Sequence, residues 1–504
     1  MTSTALSTVS PQLISTGIEG LDVVLQGGLA AHHLYVVDGN PGAGKTTLAL
    51  QYLLEGRRLG QKGLFVTLSE TERELHLVAS SHGWNLDGIE ICELAPPEES
   101  LQPDSQYTMF HPSEVELHET MKRVLDQVKA TNPERVVFDS LSEMRMLARE
   151  ALRYRRQIMA LKQFFTGRHC TVLLLDDLSV SEVDMQVQSL AHGVIRLEQL
   201  SPEFGGDRRR LRVIKTRGRG FSGGYHDFII QAGGLQVFPR LIAAEHRTPF
   251  ERGQIQSGIP AMDKLLGGGL DRGNSALIMG PAGSGKSTIA AQFAAAEAER
   301  GHKAAVFVFD EACQTLVNRT QSMGIPMDRL FQEEKVIVQQ IDPAELAPGQ
   351  FAHLVRQTVE QDGARLVVID SLNGYLNAMP EERFLTLQLH ELLTYLGNQG
   401  VTTILVVAQH GLLGTSMQAP VDTSYIADTV ILLRFFEAGG AVHKSIATVK
   451  RRGGAHETTI RELNFGPRGI HVGEPLRKFH GVLSGIPAFL NSEPPALTGS
   501  LAGK

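Results

Sequence analysis

Tryptophan occurs once in this 504-residue chain, tyrosine eight times and cysteine three times. With one tryptophan and no aromatic residue interleaved with the basic run Arg208-Arg209-Arg210-Leu211-Arg212, the chain shows no platform for stacking bases of a single strand. No run of about 18 apolar residues is present, which excludes a transmembrane helix. The N-terminus also lacks a basic segment leading into an apolar one, so no secretory signal is read and a cytoplasmic location is expected. Cys92, Cys170 and Cys313 stand far apart. Their spacing fits neither a metal site nor a disulfide framework, in keeping with a reducing compartment. A net charge of −7, a pI near 6.2 and 42% hydrophobic residues describe a soluble globular protein and disfavour nucleic acid as the main partner.

What the chain does have is the pattern G-x-x-x-x-G-K-[ST], twice: Gly39-Asn40-Pro41-Gly42-Ala43-Gly44-Lys45-Thr46 and Gly280-Pro281-Ala282-Gly283-Ser284-Gly285-Lys286-Ser287. The glycines let backbone N–H groups turn inward around phosphates, the lysine reaches the terminal phosphates, and the hydroxyl of Thr46 or Ser287 suits Mg2+. Thr47 and Thr288 extend each loop into the apolar stretch that follows. An apolar run precedes each loop and a helix-forming stretch follows, so the phosphates would meet a helix N-terminus. Glycine turns alone would not recur twice in the same setting.

The loops belong to a longer repeat. Gly17, Gly28, Lys45 and Glu70 have counterparts at Gly258, Gly269, Lys286 and Glu311, a constant spacing of 241; Asp139 and Asp370 are 231 apart, Lys215 and Lys450 235. The change in spacing puts a surface loop of extra residues near 96–112 in the first half. A repeat this long is a domain. The reading is a flexible N-terminus at 1–11, a first domain at 12–246, a polar linker at 247–256, a second domain at 257–485 and a flexible tail at 486–504. Strand, loop, helix and strand alternate in each half, which predicts an α/β fold: two tandem domains, each a mainly parallel sheet flanked by helices.

Three further signals follow each loop in the same order. A β-type run ends in acid at Ser69-Glu70 and Asp310-Glu311, where a carboxylate could orient a water or hydroxyl for in-line attack on a γ-phosphate, or be a solvated loop acid. Glu70, Asp310 and Glu311 are therefore the candidate catalytic groups. Buried runs then end in Asp-Ser at Asp139-Ser140 and Asp370-Ser371, the form of a Walker B strand, which makes Asp139 and Asp370 metal-shell candidates with Thr46 and Ser287. Finally a Lys-x-Arg pair closes a strand in each half, Lys215-Thr216-Arg217 and Lys450-Arg451-Arg452. Paired cations suit a triphosphate and could serve a neighbouring subunit; the plainer reading is a solvated basic strand end.

These residues resemble the KaiC family of duplicated RecA-like ATPases and autokinases, across nearly the whole chain. The resemblance includes Glu150-Ala151-Leu152-Arg153-Tyr154-Arg155-Arg156 and Ile426-Ala427-Asp428-Thr429. It implies ATP and Mg2+ at two sites, and a homohexameric double ring in which each site takes its P-loop from one protomer and its Lys-x-Arg from the next. Family members of the clock type have two consecutive glutamates at each acidic site; Ser69 and Asp310 depart from that. The family's Ser-Thr phosphoacceptor pair falls on Ser424 and Tyr425, which leaves Ser424, with Thr423 beside it, as the acceptor candidate. Ser424 could equally just begin a strand. Residues 484–504 are short for the family's regulatory tail, so the expected partner is either a Kai-type regulator or another signalling protein.

Two other functions stay open. A RecA-type DNA-dependent ATPase would draw on the basic run Arg208-Arg209-Arg210-Leu211-Arg212. A nucleotide-sensing scaffold without kinase activity would draw on Ser69.

Overall fold

The computed structural model describes residues 12–94, 112–148, 150–178, 188–202, 205–342, 344–377, 385–409, 426–483 and 488–489. The chain divides into two compact units, Met1–Arg240 and Leu241–Lys504. Residues 241–246, read from sequence as the end of the first domain, are held by the second unit: the Ala243 N–H donates to Glu391 (3.1 Å), and Asn398 donates to the Ala243 carbonyl (2.8 Å).

In the first unit the sheet contains β1 (Leu34–Gly39), β2 (Gly63–Thr67), β3 (Ile89–Glu93), β4 (Arg135–Asp139), β5 (Thr171–Asp177), β6 (Gly193–Leu200), β7 (Arg208–Thr216), β8 (His226–Gln231) and β9 (Gly234–Phe238). Their spatial order is β3-β2-β4-β5-β1-β6-β7-β8-β9. The first six run parallel, and β7, β8 and β9 continue antiparallel. Besides a short helix at Glu19–Val24, the helices include α1 (Lys45–Arg58), α2 (Glu72–Ser81), α3 (Pro112–Thr131), α4 (Leu141–Ala148) and α5 (Ala151–Thr166). Residues 95–111, where sequence placed a surface loop, lie outside the described residues.

The second unit repeats this plan with β10 (Ser275–Gly280), β11 (Lys303–Val308), β12 (Val336–Gln340), β13 (Ala364–Asp370), β14 (Thr402–Ala408), β15 (Thr429–Ala438), β16 (Ala441–Arg451), β17 (Arg461–Gly466) and β18 (Gly469–Pro475). The order β12-β11-β13-β14-β10-β15-β16-β17-β18 matches the first sheet strand for strand. Besides a short helix at Pro260–Leu265, its helices include α6 (Lys286–Glu299), α7 (Cys313–Ser322), α8 (Met327–Gln332), α9 (Pro348–Glu360), α10 (Leu372–Asn377) and α11 (Leu385–Asn398).

The parallel part of each sheet is covered on both faces, so its central strands are buried nearly throughout and mostly apolar, with polar residues such as Arg135 and Asp139 at strand ends. Alternate residues feed opposite cores. Tyr35, Val37 and Phe65 pack with α1, whereas Leu34, Val36, Leu64 and Val66 pack with α5. The second unit does the same with Ala276, Ile278 and Val306 on one side and Leu277, Ala305 and Phe307 on the other. The two tandem α/β domains expected from sequence are thus present.

Candidate functional site

Each P-loop joins the carboxyl end of a central strand to a helix. Gly44 and Gly285 occupy the residue before that helix with φ of +97° and +102°, a conformation that strains any residue with a Cβ. A Cβ on Gly285 would also come within 2.0 Å of the Phe465 ring. The helices begin at Lys45 and Lys286, three residues before the apolar stretches that signalled them, because the glycine turn itself starts the first turn of helix.

In the first site the Lys45 ammonium donates to the Gly39 and Asn40 carbonyls (2.9 and 3.1 Å) and pairs with Asp177 (2.8 Å). Thr46 donates to Asp139 (3.3 Å). Asp139 is buried, and burial, then Glu70, push its carboxyl up to about 7. Such a carboxylate calls for a cation, so Thr46 and Asp139 fit a Mg2+ shell. Glu70 follows β2, its Oε2 buried and without a hydrogen-bond partner among the described residues. Burial, then Glu74, raise its carboxyl above the usual range. Ser69 is exposed.

The second site is a cleft of about 490 Å³. Ala282, Gly283, Gly285, Lys286, Ser287 and Thr288 line it from the loop, with Asp310, Glu311 and Asp370 opposite. Buried Lys286 donates to the Pro281 carbonyl (2.8 Å), and burial lowers its pKa. The strand position that holds Asp177 beside Gly39 holds Ala408 beside Gly280, and the carboxylate that bears on Lys286 is Asp370. Burial pushes Asp370 up to about 6 despite a hydrogen bond from Ser287. Asp310 accepts a hydrogen bond from the Ser371 hydroxyl. Glu311 accepts from Arg319 at 2.6 Å.

The structure therefore brings together the P-loop, the strand-end acid and the Asp-Ser aspartate in each unit, and it sets the Lys-x-Arg pairs apart from them. Thr216 lies level with Gly193 and, one strand further, with Tyr35 at the start of β1, while the P-loop leaves the other end of β1 at Gly39. Four residues of strand, about 13 Å, separate the two levels. Arg451 is likewise level with Thr429 and Ala276 at the start of β10. Neither pair faces its own loop. Arg217 and Arg452 sit one residue past their strands, donating to the Ser189 carbonyl and to Asp428 (3.4 Å) respectively.

Around Lys215 and Arg217 the charges are all of one sign. Burial, then His33, Arg217, Lys162 and Lys215, push His192 down to about 4 from its ordinary 6.5. The fold thus refuses a proton that the unfolded chain accepts, so stability is kept above about 6.5 and lost as pH falls toward 4. We expect His192→Gln to flatten that part of the acid slope in urea unfolding of the first domain. An unchanged slope would remove His192 from the account.

Sequence reasoning missed Asp177, Arg319, Lys444 and Phe465. Phe465 and Lys444 line the second cleft, the ammonium 4.8 Å from the ring centre. Their strands are remote in sequence, and the antiparallel end of the sheet brings them there. The signal for Arg319 was available: the constant spacing of 241 sets it opposite Val78. Ser424 and Thr423 lie outside the described residues. The basic run of β7 turns inward in part, with Arg210 paired to Glu198 (2.9 Å) and its guanidinium over the Tyr225 ring at 4.0 Å.

Comparison with known proteins matches the ATPase family KaiC twice, at residues 14–242 and 255–477. The chain belongs to the KaiC family. The circadian clock protein KaiC3 of Synechocystis sp. is 25% identical over 492 residues, covering 94% of each chain. The circadian clock oscillator protein KaiC of Picosynechococcus sp. is 26% identical over 487 residues, covering 94% of this chain and 92% of the relative. KaiC of Thermostichus vulcanus is 25% identical over 493 residues, with 96% and 93% covered. Set beside the paired glutamates of clock-type KaiC proteins, Ser69 and Asp310 are differences within the acidic sites of this KaiC-family chain. No helix among the described residues is long and apolar enough to cross a membrane.

Proposed function

We propose that the chain hydrolyses ATP at both P-loops and that its second domain transfers phosphate to a serine or threonine of the same protein, within a homohexameric ring. The observation that carries this reading is the placement, at each P-loop, of a buried aspartate facing the loop hydroxyl and a strand-end acid beside it. The loop N–H groups and the lysine would hold the phosphates, exchanging the carbonyl contacts of Lys45 and Lys286 for phosphate oxygens. Thr46 with Asp139, and Ser287 with Asp370, would hold Mg2+, which when bound neutralises phosphate charge. Glu70 in the first site, and Asp310 with Glu311 in the second, would orient the attacking oxygen and take its proton as the bond from the γ-phosphorus to ADP breaks.

The Lys-x-Arg pairs, remote from their own loops, support a ring in which Lys215, Arg217, Lys450 and Arg452 serve the adjacent protomer. A cytoplasmic location, a regulatory or signalling role and a Kai-type or other signalling partner complete the reading. Arg210 is tied to Glu198 and Tyr225, which leaves the DNA-dependent alternative without added support.

The test is intact-mass and phosphosite analysis after incubation with magnesium ATP, with a Lys286→Ala variant in parallel. Phosphate at Ser424 or Thr423 that vanishes in the variant is the expected result. Release of inorganic phosphate with no modified residue would reduce the function to ATP hydrolysis.

A further inference from the structure

We propose that Arg319 is a positioning residue of the second nucleotide site, acting through Glu311; this rests on the reading that the second site hydrolyses ATP. Arg319 stands on α7. Its guanidinium donates from one nitrogen to Glu311 at 2.6 Å and from another to the Thr288 hydroxyl at 3.0 Å. Glu311 ends the strand-side acidic segment, and Thr288 lies in the first turn of the P-loop helix, one residue after Ser287. The arginine therefore fastens the two walls of the cleft to each other. Both contacts use one rigid planar fork, so fixing the arginine fixes the carboxylate in direction as well as in distance.

Among the described residues the first site shows no equivalent. Val78 occupies the corresponding helix position, and the Glu70 Oε2 has no partner among the described residues. In the second site each acid has its own holder, Ser371 for Asp310 and Arg319 for Glu311. Asp310 is one methylene shorter than the glutamate of clock-type members of the family. A shorter acid leaves the neighbouring carboxylate with more of the positioning, and an arginine that prevents Glu311 from rotating supplies it. Arg319 is half-buried and lines the cleft together with both of its partners, and a guanidinium that stays protonated cannot itself be the base.

A double-mutant cycle separates this role from a direct nucleotide contact and from a merely structural one. The first site is silenced by Glu70→Gln, which keeps its lysine, and turnover in that parent is compared with Arg319→Met, Arg319→Lys, Glu311→Gln and the Arg319→Met/Glu311→Gln pair. Arg319→Met should lower kcat on the order of tenfold to a hundredfold, with KM for ATP changed by less than about threefold, since misplacing a reacting group by about 1 Å costs that much. The double variant should be no slower than Glu311→Gln alone. Arg319→Lys, which keeps the charge and loses the fork, should fall between parent and Arg319→Met, and it carries the test if the methionine variant does not fold. Losses that multiply in the double variant, or a raised KM at unchanged kcat, would overturn the proposal. If Lys286→Ala in the same parent removes no turnover, the second site does not hydrolyse ATP; the underlying reading then fails, and the proposal with it.

Discussion

Lys45→Ala and Lys286→Ala should each leave one nucleotide bound per chain where the parent binds two, and the double variant none. Each lysine follows a glycine whose positive φ aims the loop N–H groups inward, and each ammonium rests on the carbonyls of its own loop. Replacing it removes the one full positive charge the loop offers. Hydrogen bonds to charged groups are worth about 1.5–3 kcal/mol each, so losing one to three phosphate contacts predicts a fall in affinity of at least about tenfold. The two variants should not be equal. Lys45 must leave Asp177 to reach a phosphate, whereas buried Lys286 rests on the Pro281 carbonyl and has Ala408 at the matching strand position. The larger loss is therefore expected for Lys286→Ala. Equilibrium dialysis or native mass spectrometry of each variant with ATP counts the sites, and two nucleotides retained by both single variants would defeat the two-site account.

Much of this arrangement was legible in the sequence because it is written in local signals. The P-loops, the Asp-Ser strand ends and the repeat spacing each occupy a short stretch, and backbone geometry follows directly from their glycines. The alternation of apolar runs with helix-forming stretches indicated a parallel sheet flanked by helices in the same way. Long-range partnerships were not legible. Asp177 reaches Lys45 only because β5 lies beside β1, a crossover that residue patterns do not reveal. Phe465 closes over Gly285 from an antiparallel strand far along the chain. Arg319 was visible as a residue without its role being so, since only the packing of α7 sets it between Glu311 and Thr288. The Lys-x-Arg pairs are the reverse case: sequence marked them as cations suited to a triphosphate, and the register then set them at the wrong end of the sheet for their own loops.

That misplacement has a strong consequence if the chains form a ring. A Lys286→Ala chain would lack a working second-site P-loop and keep its cations, while a Lys450→Ala/Arg452→Ala chain would keep the loop and lack the cations. Each alone, in a Glu70→Gln parent, should lose second-site turnover by about a thousandfold, the scale on which trans-supplied arginines act in phosphoryl transfer. Mixed in equal amounts and allowed to reassemble, they should recover about a quarter of the parental second-site rate, because a head-to-tail interface is whole only when an intact loop meets an intact pair. Lys450 has a hydrogen bond to the Ala427 carbonyl at 2.7 Å and Arg452 one to Asp428, so both must exchange partners to reach a neighbour's phosphate. Their alanine variants consequently leave the P-loop itself untouched, and nucleotide binding by the isolated chain should survive. Turnover is the readout, measured before and after mixing. Failure of the mixture to exceed either component would mean that the cations act within their own chain or not at all, and would remove the main support for a shared site. Recovery near a quarter would instead tie catalysis to assembly, since no single chain could then complete its own second site.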